Sequence, residues 1–204
     1  MEIFGIILAG GEGTRLGGVD KARLRLGKRS FLHHVKQRLE SQCQRLVYVG
    51  PHEHGALTSL PSTSDHFDPP IGPLGGIYTG ARWASSHAQQ PDHSWILTAP
   101  VDGPFFPSDF VERVRNEMEK RAPIIGRYGT DIYPVCGLWP LSQALEITRI
   151  LESQEGFAVR PVLHHFNAQE HDFKQFYDEN PFANANRMND LLALQSRYAA
   201  QYPD

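Results

Sequence analysis

Apolar and polar positions along the chain fall into short hydrophobic runs that alternate with longer amphipathic stretches. Residues 2–9 carry Ile3, Phe4, Ile6, Ile7 and Leu8 almost without interruption, the pattern of a strand. A glycine-rich loop over residues 10–18 follows. Ser30 can cap a helix over 31–42, where Leu32, Val35 and Leu39 recur at helical spacing. Residues 45–49 predict a second strand, and the polar, proline-containing stretch 50–72 is mostly loop. A helix is expected over 76–86, a buried strand over 95–99 ending at Pro100, and a helix over 108–121 capped by Ser108 or Asp109. Residues 124–127 and 135–139 read as short strands paired around 128–131. The remaining helices are 141–152, 159–165 and 189–202, the last with Leu191, Leu192 and Leu194 for contacts. Strands alternating with helices predict a layered α/β fold with a mostly parallel sheet. Chemistry is then expected at the carboxyl ends of the strands.

Composition narrows the picture. The chain has 204 residues, 40% hydrophobic and 21% charged, which suits a single globular domain over 1–204. Twenty Lys and Arg stand against 23 Asp and Glu, a net charge of −3, so no basic excess points to nucleic acid. No aromatic and basic residues interleave as in an RNA-binding surface. No apolar run is long enough to span a membrane, and residues 6–9 are too short for a signal peptide. Cys43 and Cys136 make neither a disulfide framework nor a four-cysteine zinc site. They are expected to be reduced and buried, in a cytoplasmic protein. The ten histidines form no ligand set. His33-His34 and His164-His165 are adjacent pairs facing different sides of a helix, and His52-x-His54 lacks a third partner. No Gly-x-Ser-x-Gly elbow or Cys–His pairing supports a covalent nucleophile.

Three segments carry chemistry. The first, Leu-Ala-Gly-Gly-Glu-Gly-Thr-Arg-Leu-Gly-Gly-Val-Asp-Lys, runs from Leu8 to Lys21 and begins where the first strand ends. Gly10, Gly11 and Gly13 let backbone N–H groups approach phosphate oxygens, and Arg15 and Lys21 add positive charge. Asp20 stands beside Lys21 and is expected to hold its ammonium. Neither a P-loop nor a dinucleotide fingerprint fits, because Ala22 follows Lys21 and Leu16 stands where a third glycine belongs. Glycines alone would fit a tight strand-to-helix turn equally well. The second segment runs from Trp95 to Asp102 and turns at Gly103-Pro104-Phe105-Phe106-Pro107. A carboxylate at a strand's carboxyl end near a phosphate loop is placed to hold Mg2+, though a loop or cap role is the plainer reading of Asp102 in isolation. The third is Ile71-Gly72-Pro73-Leu74-Gly75-Gly76-Ile77, a rigid bend into a helix, preceded by Asp65 and Asp68.

The first segment resembles the signature loop of nucleotidyltransferases of the LAGG-x-x-x-R-[ML]-G kind, closed by a lysine. Its fuller form through Gly17-Gly18-Val19-Asp20-Lys21 is similar to that of the molybdenum cofactor guanylyltransferases, the MobA type. The second resembles the family's motif around a metal-binding acid, with which Asp102 aligns. The third resembles its Gly-Pro-Leu-[Ala/Gly]-Gly element beside the nucleotide, where an acid shortly before also contacts the nucleotide; Asp65 is chosen for that position over Asp68. Residues 133–140, Tyr-Pro-Val-Cys-Gly-Leu-Trp-Pro, resemble a family strand with Tyr133 in place of its usual His. Phe182-Ala183-Asn184-Ala185-Asn186 resembles the element before the last helix. Asn184 and Asn186 are amides that can bond a pterin or a phosphate, and equally residues suited to an Asx turn or helix entry. Val49-Gly50-Pro51-His52 departs from the Asn-x-Asn the family often has, which bears on base reading. By resemblance, residues 156–165 with Arg160 face the pterin side.

The resemblance implies a three-layer Rossmann-like nucleotidyltransferase fold, nucleotide-binding in its amino-terminal part and pterin-binding in its carboxyl-terminal part. It implies transfer of GMP from GTP to the terminal phosphate of molybdopterin. GTP would lie over Leu8, Ala9, Gly10 and Gly11, near Lys21, Arg15, Asp65 and Asn186. Mg2+, replaceable by Mn2+, would sit on Asp102. The implied catalytic set is Lys21, Asp102 and Arg15. Implied partners are molybdenum-insertion proteins and molybdoenzyme chaperones, for a monomeric, cytoplasmic enzyme without nucleic-acid or membrane association. Cytidylyl transfer, a sugar-phosphate acceptor and a non-catalytic cofactor-delivery module are the alternatives.

Overall fold

A computed structural model describes residues 1–9, 19–56, 58–152 and 156–202. β1 (Ile3–Leu8) is buried along its whole length, as expected of a strand covered on both faces. A single-turn 3-10 helix at Lys21–Arg23 leads into a small hairpin of β2 (Arg25–Leu26) and β3 (Arg29–Ser30). Ser30 then caps α1 (Phe31–Glu40) by accepting the His33 N–H. β4 (Arg45–Val49) follows. Residues 50–72 are less irregular than the sequence suggests, holding the short helix α2 (His52–Ala56) and β5 (Ser62–Thr63). Next come α3 (Pro73–Ser85), β6 (Trp95–Pro100) and α4 (Phe110–Arg113). The helix expected over 108–121 is broken: after α4 only a 3-10 turn at Glu117–Lys120 continues it. Val111, Val114 and Asn116 are weak helix formers, and burial of Phe110, Val114 and Met118 fixes the path instead.

β7 (Ile124–Tyr128) and β8 (Asp131–Pro140) form a longer hairpin than expected, irregular in register between Ile125 and Gly126. The helix expected over 141–152 divides at Glu146 into α5 (Leu141–Leu145) and α6 (Ile147–Leu151). α7 (Val159–His165) precedes β9 (Gln169–Asp172), an all-polar strand that hydrophobic patterning does not predict. α8 (Met188–Gln201) ends the described fold.

Among the described residues, seven strands make one sheet in the order β5-β4-β1-β6-β8-β7-β9. All neighbours are parallel except the two pairs made by β8. The sheet is the middle of three layers. On one face Ile3, Ile7, Leu97 and Leu138 pack with α1 and the rings of Phe106, Phe110, Phe173 and Phe182. On the other, Phe4, Ile6, Ile96 and Trp139 pack with α3, α5, α6 and α7. This is a mostly parallel, Rossmann-like α/β architecture. α3 lies unusually close to the sheet: a Cβ on Gly76 would meet Leu8 at 2.9 Å and one on Gly80 would meet Ile6 at 2.4 Å. That approach brings the amino-terminal turn of α3 to the carboxyl end of β1.

Candidate functional site

The carboxyl ends of β1, β4 and β6 converge at one edge of the sheet. Val101 N–H bonds Leu8 O at 2.9 Å, and Ala9 N–H bonds Val49 O at 2.9 Å, so the chain leaves each strand held to its neighbour. Asp102 sits just past β6 and is 8% exposed. Two adjacent rings anchor its turn on different packing groups: Phe106 in the main core, and Phe105 with Leu26, Phe31, Ala185 and Leu194. Burial of each ring is worth about 1.5–3 kcal/mol, enough to hold a charged turn in place.

Three side chains meet here from distant parts of the sequence. Lys21 Nζ donates to Asp102 Oδ2 at 2.6 Å and to Asn186 Oδ1 at 2.8 Å. Asn186 in turn donates through Nδ2 to Asn184 Oδ1 at 3.2 Å. Ala185 N–H bonds the Asp102 carbonyl at 3.2 Å, which ties the segment before α8 to the turn after β6. Asp190 Oδ2 accepts the backbone N–H groups of Asn186 and Arg187, at 3.0 and 2.7 Å. Asp190 is a residue the sequence reading missed. Its signal was an acid in the first turn of a helix, three residues after the cap residue Arg187.

Asp20 does not hold the Lys21 ammonium as expected. Its Oδ1 accepts the Ala22 N–H at 3.0 Å and caps the short 3-10 helix, while Oδ2 faces Arg23 and His54. A side chain used as a cap points back along its own turn, so the neighbouring ammonium is free to reach across the sheet edge. Gly10, Gly11 and Arg15 lie outside the described residues.

Beside this cluster is a cavity of about 310 Å3 lined by Leu8, Ala9, Gly50, Asp65, Gly72 and Gly76, among others. Asp65 faces it; Asp68 is exposed and is not part of the wall. Asp65 Oδ1 accepts from Phe67 N–H at 3.1 Å and from Thr79 Oγ1 at 3.4 Å. The carboxylate lies flat on the first turn of α3, where a Cβ on Gly75 would come within 2.9 Å of both oxygens. Gly72, at φ 81°, makes the left-handed bend that opens this helix.

A second cavity, about 690 Å3, includes Tyr133, Asn180, Asn184, Asn186 and Arg187 in its wall and so adjoins the cluster. Tyr133 stacks on Phe182 with centroids 5.0 Å apart, and its hydroxyl accepts from Asn180 Nδ2 at 2.5 Å. Burial raises the Tyr133 pKa, so the hydroxyl keeps its proton. Arg160 lies elsewhere, in a cavity of about 560 Å3 with Ile125, Ile132 and His164. Ile132 and Tyr133 are consecutive on β8 and point to opposite faces, so the sheet separates Arg160 from the Asn186 side.

The donors around Asp102 suit a hard divalent cation. They are a carboxylate and an amide oxygen, and among the described residues no group of three His, Cys, Asp or Glu could supply a full shell. Mg2+ is bound in this manner when substrate phosphates and water provide its other ligands. The two thiols take no part: burial raises the pKa of both Cys43 and Cys136, the second helped by the charge of Asp102.

Comparison with known proteins agrees with this geometry. Residues 5–171 match the model of the MobA-like NTP transferase domain. A molybdenum cofactor guanylyltransferase of Cereibacter sphaeroides is 38% identical over 202 residues, covering 96% of this chain and 97% of that protein. One from Rhizobium leguminosarum bv. trifolii is 34% identical over 199 residues, 95% and 92% of the two chains. Among solved structures, molybdopterin-guanine dinucleotide biosynthesis protein A from Archaeoglobus fulgidus superposes with a TM-score of 0.75 at 22% identity, over 97% of this chain and 99% of that one. The 2-C-methyl-D-erythritol 4-phosphate cytidylyltransferase of Thermus thermophilus shares the fold at a TM-score of 0.67 and 13% identity, over 97% and 99%. With a family match over most of its length and relatives of this identity and coverage, the chain belongs to the MobA-like NTP transferase family.

Proposed function

We propose that this nucleotidyltransferase moves GMP from GTP to the terminal phosphate of molybdopterin, releasing pyrophosphate and forming the guanine dinucleotide cofactor. The observation that carries the reading is the Lys21 ammonium, shared between Asp102 and Asn186 at the strand ends, one strand away from the cavity that holds Asp65. The resemblance of the Leu8–Lys21 loop and the names of the relatives support the same assignment.

In this reading the guanine enters the cavity beside Asp65. Guanine offers a ring N–H and an amino group side by side, and a carboxylate with two free lone-pair directions accepts from both. Thr79 and the bare Gly75 fix the direction of that carboxylate. The triphosphate then extends toward Lys21, with Arg15 and the amides of Gly10 and Gly11 as further contacts. Asp102, with Asn186 beside it, would hold Mg2+ or Mn2+, which supplies charge neutralisation for the phosphates when bound. Lys21 exchanges its carboxylate partner for phosphate oxygens and offsets the charge that develops on the leaving pyrophosphate. The acceptor arrives as an ionised phosphate, so no strong general base is required; catalysis is positioning plus electrostatics.

The cavity shared with Asn186 is the side from which the acceptor phosphate approaches, and Arg187 on its wall is the cation nearest in sequence to that amide. The 204 residues then act as one domain, nucleotide-binding in the first part and pterin-binding in the second. A cytoplasmic monomer served by molybdenum-insertion proteins and molybdoenzyme chaperones is the cellular setting this reading implies. Among the described residues no helix is long and apolar enough to cross a membrane.

The test is pyrophosphate release with molybdopterin and each of the four nucleoside triphosphates, followed by the product mass. GTP-dependent release and a guanylylated product are expected. Turnover with CTP in place of GTP would move the assignment to cytidylyl transfer, and no release with any nucleotide would sink the enzymatic reading.

A further inference from the structure

Next to the cluster lies a partly buried chain of polar contacts that the reaction as described does not use. Tyr48, on β4, is fully buried. Its hydroxyl lies 3.0 Å from His54 Nδ1. His54 Nε2 lies 2.8 Å from Asp20 Oδ2, and its side chain is only 12% exposed. Asp20 closes the chain by capping the turn that begins at Lys21. The direction of the hydrogen bonds follows from the chemistry. Burial, with the charges of Asp20 and Glu53, raises the Tyr48 pKa, so the phenol keeps its proton. The carboxylate can only accept, so His54 Nε2–H donates to Asp20, and the phenol O–H donates to Nδ1.

The placement gives this chain a purpose. His54 sits on α2, directly after Gly50 and Pro51, which wall the base-side cavity. Asp20 immediately precedes the lysine that reaches the phosphate end. The relay therefore joins the rigid sheet, through a helix beside one cavity, to the backbone that aims the ammonium. Arg23 pairs with the same Asp20 oxygen from the solvent side at 3.1 Å, but its side chain is mostly exposed and adds little.

We propose that His54 is a positioning residue for Lys21, acting through Asp20 to hold the ammonium where the nucleotide phosphates must lie. The inference rests on the reading of Lys21 as a phosphate-holding group. Small misplacements of a catalytic group lower rates by up to roughly a hundredfold. A loosened rather than deleted lysine is expected to lose about tenfold.

Kinetics of the full chain with GTP and molybdopterin test this. His54→Ala is expected to lower kcat/KM for GTP about tenfold, while His54→Gln, which keeps an N–H toward Asp20, stays within about threefold of the parent. Asp20→Asn keeps the acceptor for the Ala22 N–H but turns a donor toward His54. It is expected to match His54→Ala, and it keeps the test open should the alanine variant fold poorly. In a Lys21→Ala background, His54→Ala is expected to change nothing further, because its route of action is gone. A general structural role would instead multiply the two losses, and that result overturns the proposal, as does full activity in both His54→Ala and Asp20→Asn. If Lys21→Ala alone left turnover intact, the reading of the lysine would fall first and the inference with it.

Discussion

In the proposed reading, the phosphate end and the base end of the site are built from different materials. At the phosphate end, side chains do the work: Lys21 meets Asp102 and Asn186 across sequence separations of 81 and 165 residues. At the base end the wall is largely backbone and small residues, among them Ala9, Gly50, Gly72 and Gly76, with the Asp65 carboxylate set among them. The contrast fits the two tasks. A polyphosphate is recognised by charge, which tolerates small errors of position when several donors share the load. A base is recognised by shape and by the direction of a few hydrogen bonds, which demands a close, rigid wall. Changes at the first end should alter rate, and changes at the second should alter choice of nucleotide.

The largest effect is expected from Lys21→Ala and Asp102→Ala. Each should lower turnover about a hundredfold, the effect of losing one electrostatic stabiliser, with the ranking of nucleotides unchanged and folding verified by circular dichroism. Near-normal rates in both would dissolve the comparison. Next, Asp65→Ala should reduce the preference for GTP over other nucleotides by roughly tenfold or more, read from kcat/KM ratios, while saturated turnover falls less. Gly75→Ala should act in the same direction and more weakly, because a Cβ 2.9 Å from both oxygens must push Asp65 aside without removing it. Smallest is Asp190→Ala. Loss of a helix cap is worth about 1 kcal/mol, so the melting temperature should fall roughly 2–4 °C, with a modest drop in rate as Asn186 loosens.

Much of this was legible in the amino acids, and the exceptions share a cause. The runs that became β1, β4 and β6 were plain because strands buried on both faces read as continuous apolar stretches. The Ser30 cap was plain because capping is local. β9 was not, because Gln169–Asp172 is an edge strand with only one strand beside it and no apolar residue to mark it. Lys21 and Asp102 stood out by motif, but their pairing did not, and Asp20 was given the wrong partner. Adjacency in sequence suggested Lys21; the fold supplied His54 from a short helix that lies inside a stretch expected to be loop. The site was visible as a set of residue types, and its wiring depended on contacts between segments far apart in the chain.

The Asn186 contact also has a temporal side. The amide that completes the lysine's surroundings is carried on the strip between β9 and α8, pinned by Ala185 to the turn after β6. A ribosome making this protein finishes β1, β4, β6 and the acid well before it delivers that strip. In the proposed reading, the phosphate-holding site is therefore complete only once the segment just before α8 has been made.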